Sequence, residues 1–213
     1  MMTVAILADS FLRTEIQVKT WNNRVEIHWA DTLDSLIGMN ADAYFDFAFE
    51  NSRQHITAIQ TLRQPVFISE TTLAAEEIDS RFIRVNCWPG MLSRALIEIA
   101  PGTRADMNAA KQLLELLEWK FQVVPDIAGF ISCRILATII NEAYFTLQQG
   151  VSTPNEIDTA MKLGTNYPFG HFEWAEKIGI GNLLELLNKM SIEDSRYIPS
   201  DLIVVQEKLK SIE

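Results

Sequence analysis

The chain has 213 residues, of which 48% are hydrophobic and 22% charged, and its formal net charge is −10. This is an ordinary globular composition for one large domain or two small ones. The negative balance argues against nucleic acid and anionic membranes, and no stretch approaches the ~20 apolar residues of a membrane span. Two cysteines, Cys87 and Cys133, are too few for a disulfide framework and suit a reducing cytoplasm. The opening MMTVAILADS has no positive charge ahead of its apolar run, so it reads as a strand and not as a signal peptide.

In chain order, the first hundred residues alternate short apolar runs with helical patterns. Thr3–Leu7 is expected as strand, Phe11–Thr20 as helix, Val25–Trp29 as strand and Leu33–Met39 as a short helix. Ala43–Phe49 follows as strand, Arg53–Leu62 as helix, and Val66–Ile68, Phe82–Cys87 and Ala95–Ile99 as strands. Such spacing implies right-handed βαβ units and a parallel sheet covered on both faces. After Pro101 the pattern is helical. Arg104–Leu117 places Met107, Ala110, Leu113, Leu114 and Leu117 at helical spacing, and Pro125–Gln149 is apolar on most faces, as in a buried helix ending at Gly150. Thr153-Pro154-Asn155-Glu156 combines a capping box with proline at the first helical position, and Gly164 is expected to end that helix. Gly170–Ile178, Leu183–Met190 and Asp201–Ile212 complete a helical domain. The boundary falls near Ala100–Gly102 or just after the Arg104–Glu118 helix.

Two segments carry a family resemblance. PDIAGFISCRIL (Pro125–Leu136) and GVSTPNEIDTAMKLGTNYPFGHFEWAEKIG (Gly150–Gly179) resemble the P-G-F-x-x-N-R-L and G-x-A-[ST]-x-x-[DE]-I-D-x-A-M-K-x-G-x-x-[YF]-P-[MF]-G-P-F-E segments of the 3-hydroxyacyl-CoA dehydrogenase family. Gly129, Phe130, Arg134, Ile157, Asp158, Met161, Lys162, Gly164, Pro168, Gly170 and Glu173 fall in place. More weakly, YFDFAFEN (Tyr44–Asn51), Ser69–Leu73 and Asn86–Ile99 resemble the family's nucleotide-domain segments. The resemblance implies an α/β plus all-α chain. Residues 1–120 would be a shortened Rossmann-like domain, lacking a helical insert of ordinary relatives, and residues 121–213 a helical dimerisation and substrate domain. It also implies a homodimer, a place in fatty acid metabolism, and an acyl-CoA-type small molecule as ligand.

The resemblance further implies which positions carry chemistry. The family oxidises a 3-hydroxyacyl-CoA: a histidine takes the hydroxyl proton as hydride passes to NAD, a glutamate orients the histidine, and an asparagine and a serine hold the substrate. By position these become Asn86, Glu98, Cys133 and Thr72, so only Glu98 is identical. An amide does not titrate near neutral pH and cannot accept the proton. Cys133 removes an amide donor, and both cysteines also read as small buried residues. Glu98 reads equally as a carboxylate that is solvated or paired with Arg94.

For the cofactor, Asp31 past the second strand stands where an acidic residue holds the adenosine ribose, with Glu50 and Asn51 at further family positions; a helix N-cap is the preferred reading of Asp31. The turn Ala8–Arg13, however, has no glycine to let backbone N–H groups approach a pyrophosphate. No cofactor is therefore expected, NAD being implied by the resemblance alone, and the three histidines lack metal-ligand spacing. His28 is expected in a strand, His55 in a surface helix, and His171 where the family has proline in its turn. Arg81, Arg84, Arg94, Arg104 and Arg134 are candidates to meet CoA phosphates, or are solvated surface charge.

Three readings follow. The first is a degenerate family member, a pseudoenzyme binding an acyl-type ligand or a partner. The second is an active oxidoreductase using His171 or Cys133 as base, and the third a structural dimer module.

Overall fold

The computed structural model describes residues 1–210, and the chain divides into two compact units, Met1–Phe130 and Ile131–Glu213. The final residues of the helix expected over Asp201–Ile212 lie outside the described residues.

The first unit is a seven-stranded sheet: β1 (Met2–Leu7), β2 (Val25–Ala30), β3 (Ala43–Asp46), β4 (Val66–Ile68), β5 (Ile83–Val85), β6 (Leu96–Pro101) and β7 (Lys120–Val123), in spatial order β2-β1-β3-β4-β5-β6-β7. The first five strands are parallel, in register Val4↔Ile27 and Ile6↔Phe45. The sheet is not parallel throughout: β6 runs antiparallel to β5, and β7 parallel to β6. The reversal follows from the link between β5 and β6, which is a loop with no crossover helix.

Helices α1 (Ser10–Gln17), α2 (Leu33–Gly38), α3 (Arg53–Ile59), α4 (Ala75–Ile78) and α5 (Met107–Leu116) connect the strands. Both faces of the sheet are covered, which is why the strands read as near-continuous apolar runs. Ile6, Phe45 and Phe67 pack with Ile16 of α1 and Leu113 of α5, and Phe45 and Phe67 stack at 4.3 Å. Leu7, Tyr44 and Ile68 pack with Leu36 of α2 and Ile59 of α3. The short strand β7 is mostly exposed and carries no clear alternation; the first unit runs on to Phe130, past the boundary expected at 120.

The second unit holds α6 (Ile131–Gln148), α7 (Pro154–Thr165), α8 (His171–Ile178), α9 (Ile180–Ser191), a 3₁₀ turn (Ser195–Tyr197) and α10 (Asp201–Lys210). The long helix starts at Ile131, later than the apolar run suggests, because Pro125–Phe130 forms a loop whose Gly129 has φ +70°. Gly150, at φ +69°, follows its end as expected. Thr153 and Glu156 form the expected capping box with Pro154 in the first turn. Gly164 does not end α7: the helix continues to Thr165 and stops at Asn166, whose φ of +56° is a left-handed conformation asparagine tolerates.

The Asp158 carboxylate accepts the backbone N–H groups of Phe172 (2.9 Å) and Glu173 (3.1 Å) at the start of α8. A Cβ on Gly170 would stand 2.1 Å from Asp158 Cγ, so only glycine fits there. Lys162 Nζ reaches Glu173 Oε1 at 2.5 Å, and Glu173 Oε2 accepts the Gly170 N–H. The I-D-x-A-M-K…G-x-F-E signature is thus a clasp between α7 and α8.

Candidate functional site

Asn86 follows β5 and Glu98 lies in β6. Continuing the antiparallel register Val85↔Ile99 by one residue sets them opposite each other, and Asn86 N–H donates to the Glu98 carbonyl at 3.1 Å. Their side chains meet as well: Asn86 Nδ2 donates to Glu98 Oε2 at 2.9 Å. Asn86 Oδ1 accepts the Trp88 N–H at 3.2 Å, which fixes the amide with its nitrogen toward the carboxylate. Asn86 is 1% exposed. The buried amide is held by the half-buried carboxylate as an orienting carboxylate would hold a base, yet the amide has no lone pair that takes up a proton near neutrality.

Thr72 is buried in the turn after β4, its N–H donating to Glu70 Oε1 at 2.7 Å. Cys133 is fully buried in α6, in the second unit. Cys87, beside Asn86, is also buried, and desolvation pushes its thiol far above the usual range, so it is no ready nucleophile.

The turn after β1 is organised by its own side chains. Asp9 caps α1, its Oδ1 accepting the Leu12 N–H at 2.8 Å. An anion-binding helix N-terminus therefore already carries a carboxylate. Arg13 donates to the carbonyls of Ala8 and Ala30 and to Asp31 Oδ1 at 2.8 Å, tying the ends of β1 and β2 together.

A cavity of about 380 Å³ opens at the carboxyl ends of β1, β2 and β3, lined by Leu7, Asp31, Thr32, Leu33, Ala48, Glu50, Ser52, Gln54 and His55. Two of the three residues expected at the cofactor, Asp31 and Glu50, line it; Asn51 is exposed and does not. Asp31 is not the cap of α2, a place Thr32 takes with Ser35.

His55 is not on a surface. It is 6% exposed, and its Nε2 lies 2.5 Å from Oδ2 of Asp46, a residue with no exposure at all. Burial pushes Asp46 up, against the hydrogen bond and charge of His55. The signal in the sequence was a lone carboxylate ending an apolar strand, with a histidine in the first turn of the next helix.

Arg84 is likewise not a candidate for phosphate. It is fully buried, donating to Asp126 Oδ1 (2.7 Å) and to the Ile127 carbonyl (2.7 Å), with its guanidinium over the Phe130 ring. Arg81 forks onto Asp79. His171 is buried at the start of α8 against the Tyr167 ring; desolvation lowers its pKa and Asp158 opposes this. His28 is half-exposed on β2, 3.2 Å from Glu26. Among the described residues no group of His, Cys, Asp or Glu could hold a metal ion, and no helix is long and apolar enough to cross a membrane.

Residues 129–208 match the family model described as 3-hydroxyacyl-CoA dehydrogenase, C-terminal domain. The chain is 36% identical over 143 residues to a 3-hydroxybutyryl-CoA dehydrogenase of Bradyrhizobium diazoefficiens, covering 64% of this chain and 49% of that protein, so the match spans about half that relative's length. It is 29% identical over 213 residues to a Bacillus subtilis protein named "Probable 3-hydroxybutyryl-CoA dehydrogenase", covering 92% of this chain and 73% of the relative. The fold superposes on the (S)-3-hydroxybutyryl-CoA dehydrogenase of Ralstonia eutropha with a TM-score of 0.73 at 20% identity, covering 99% of this chain and 94% of the other. The match of residues 129–208 and the named relatives support membership of the chain in the 3-hydroxyacyl-CoA dehydrogenase family, and the superposition gives its fold.

Proposed function

We propose that this chain is a catalytically degenerate member of its family, which binds an acyl-type ligand or a partner without oxidising a 3-hydroxyacyl-CoA at a useful rate. The observation that carries this is the 2.9 Å contact between Asn86 and Glu98. The contact keeps the orienting carboxylate and replaces the proton acceptor. A positioned acid–base group contributes roughly 10²–10⁴-fold, so its loss alone leaves at best a slow enzyme.

The cofactor turn supports the same reading. A dinucleotide would need close backbone approach at the start of α1, where Asp9 already occupies the helix terminus and Phe11 stands in the turn. These residues do not fit a pyrophosphate. Cys87 and Cys133, buried and outside any disulfide, suit the cytoplasmic setting that belongs to this reading.

Assembly as a homodimer is part of the proposal. Helix α6 buries Leu136, Ala137, Ile140 and Tyr144 but leaves Ile131 and Ile135 more than half exposed, one turn apart. A second copy would cover that stripe.

The test is NADH formation from 3-hydroxybutyryl-CoA by the wild type, Asn86→His, and Asn86→His with Cys133→Asn. All three are expected to be inactive, because a base without a bound nicotinamide has no hydride transfer to couple to. Turnover by the wild type would overturn the proposal in favour of another base. Turnover by Asn86→His alone would show that the nucleotide site works.

A further inference from the structure

The pair of Asp46 and His55 is used by nothing described so far. A buried carboxylate left alone is strongly destabilising, and Asp46 is partnered by His55 through Nε2. The other ring nitrogen, Nδ1, has no hydrogen-bond partner among the described residues, although His55 is more than nine-tenths buried and lines the cavity at the ends of β1–β3. Asp46 Oδ1 is buried and has no hydrogen-bond partner either.

In the tautomer that places the proton on Nε2, toward Asp46, Nδ1 is left as an acceptor for a ligand in the cavity that His55 lines. The remaining polar wall is also rich in acceptors: the Glu50 and Asp31 carboxylates, Gln54, and the hydroxyls of Ser52 and Thr32. Among the described residues no lysine or arginine lines the cavity. The nearby Arg13 is committed to Asp31 and to two backbone carbonyls. An anionic ligand would meet the like charge of the Asp31 and Glu50 carboxylates. The size suits a small molecule, and the place is where open α/β sheets bind ligands.

We infer that this cavity binds a small organic cation, an amine whose N–H groups are taken by His55 Nδ1 and Glu50. The crevice of the fold is kept, and its chemistry is turned from a phosphate-bearing nucleotide toward an ammonium group. The inference does not depend on the state of Asn86.

The probe is 1,4-diaminobutane, titrated calorimetrically into the full chain beside glycerol, adenosine and AMP, with the ¹⁵N resonances of His55 followed by NMR. Saturable diamine binding that shifts the His55 signal is expected, with no binding of AMP. Glu50→Gln, on the exposed rim, should keep the fold and weaken the diamine about tenfold, the loss of one charge-assisted contact. His55→Asn tests the second contact but strips Asp46 of its partner, so Glu50→Gln carries the decision if that variant fails to fold. Absence of saturable diamine binding, an unchanged affinity in Glu50→Gln, or preference for adenosine over the diamine would each overturn the inference; the last would mark a surviving nucleoside pocket.

Discussion

Replacing Arg84 by methionine tests whether this arginine is scaffold or ligand contact. Arg84 has no exposure and makes two hydrogen bonds of 2.7 Å, to Asp126 and to the Ile127 carbonyl, and a longer one of 3.3 Å to the Glu70 carbonyl. Breaking a buried pair by removing one partner costs about 3–5 kcal/mol. Two features pull toward the lower end. Asp126 is 12% exposed and keeps the backbone N–H groups of Ala75 and Glu76, so its charge is not orphaned. Methionine also retains much of the stem that packs near Phe130. The expected loss is about 3 kcal/mol, a fall in Tm of roughly 6–12 °C for a chain of this size. Urea unfolding followed by circular dichroism, with an unchanged slope, would measure it. A loss below about 1 kcal/mol would refute the reasoning, since mutations at sites without such a network fall in that range. If acyl-CoA affinity fell instead while stability held, Arg84 would be a ligand contact after all.

Further outcomes follow from the same geometry. NADH should bind far more weakly than to glycine-bearing relatives, and micromolar affinity by calorimetry would contradict the reading of Asp9 and Phe11. The chain should run as a dimer in light scattering, and Ile135→Glu should shift it to monomer; a concentration-independent monomer in the wild type would end that proposal. Burial lowers the pKa of His171 below its usual 6.5, so on acidification the unfolded chain takes up the proton first. Stability should therefore be flat above that pH and fall as pH drops through it, until the folded imidazole also protonates. The difference between wild type and His171→Gln isolates this contribution, because Asp46, raised by its own burial, acts with the opposite sign. A pH-independent difference would show that His171 is not shielded.

Much of the fold was legible because its signals are local. The apolar runs of β1, β3 and β4 are continuous where a parallel sheet buries both faces, and capping residues announce α7 in the sequence itself. What escaped was set by distant partners. The direction of β6 depends on a loop connection that no periodicity encodes. The mostly exposed β7 has no alternating pattern, and Asn166 displaced Gly164 as the end of α7 because either residue accepts a left-handed backbone. Arg84 and His55 were misplaced for one shared reason. Ionisable side chains are mostly exposed unless paired, and the partners that bury these two, Asp126 and Asp46, lie 42 and 9 residues away.

The dense helical signature and the sparse chemistry also mean different things. Asp158, Lys162, Gly170 and Glu173 contact one another and fix α7 against α8, so their retention speaks for the packing of the helical unit and says little about turnover. The sheet unit asks other things of its residues. Asn86 and Glu98 need only an antiparallel register to meet, a requirement that holds whether position 86 carries a base or an amide. Asp9 and Arg13 meet the hydrogen-bonding needs of the β1–α1 turn from within the chain. A domain whose helix terminus is capped from inside keeps its stability without a bound anion and is released from the demand for glycine. On the reading proposed above, the fold persists while its chemistry drifts, and the acceptor-lined crevice around Asp46 and His55 is left for a ligand of another class.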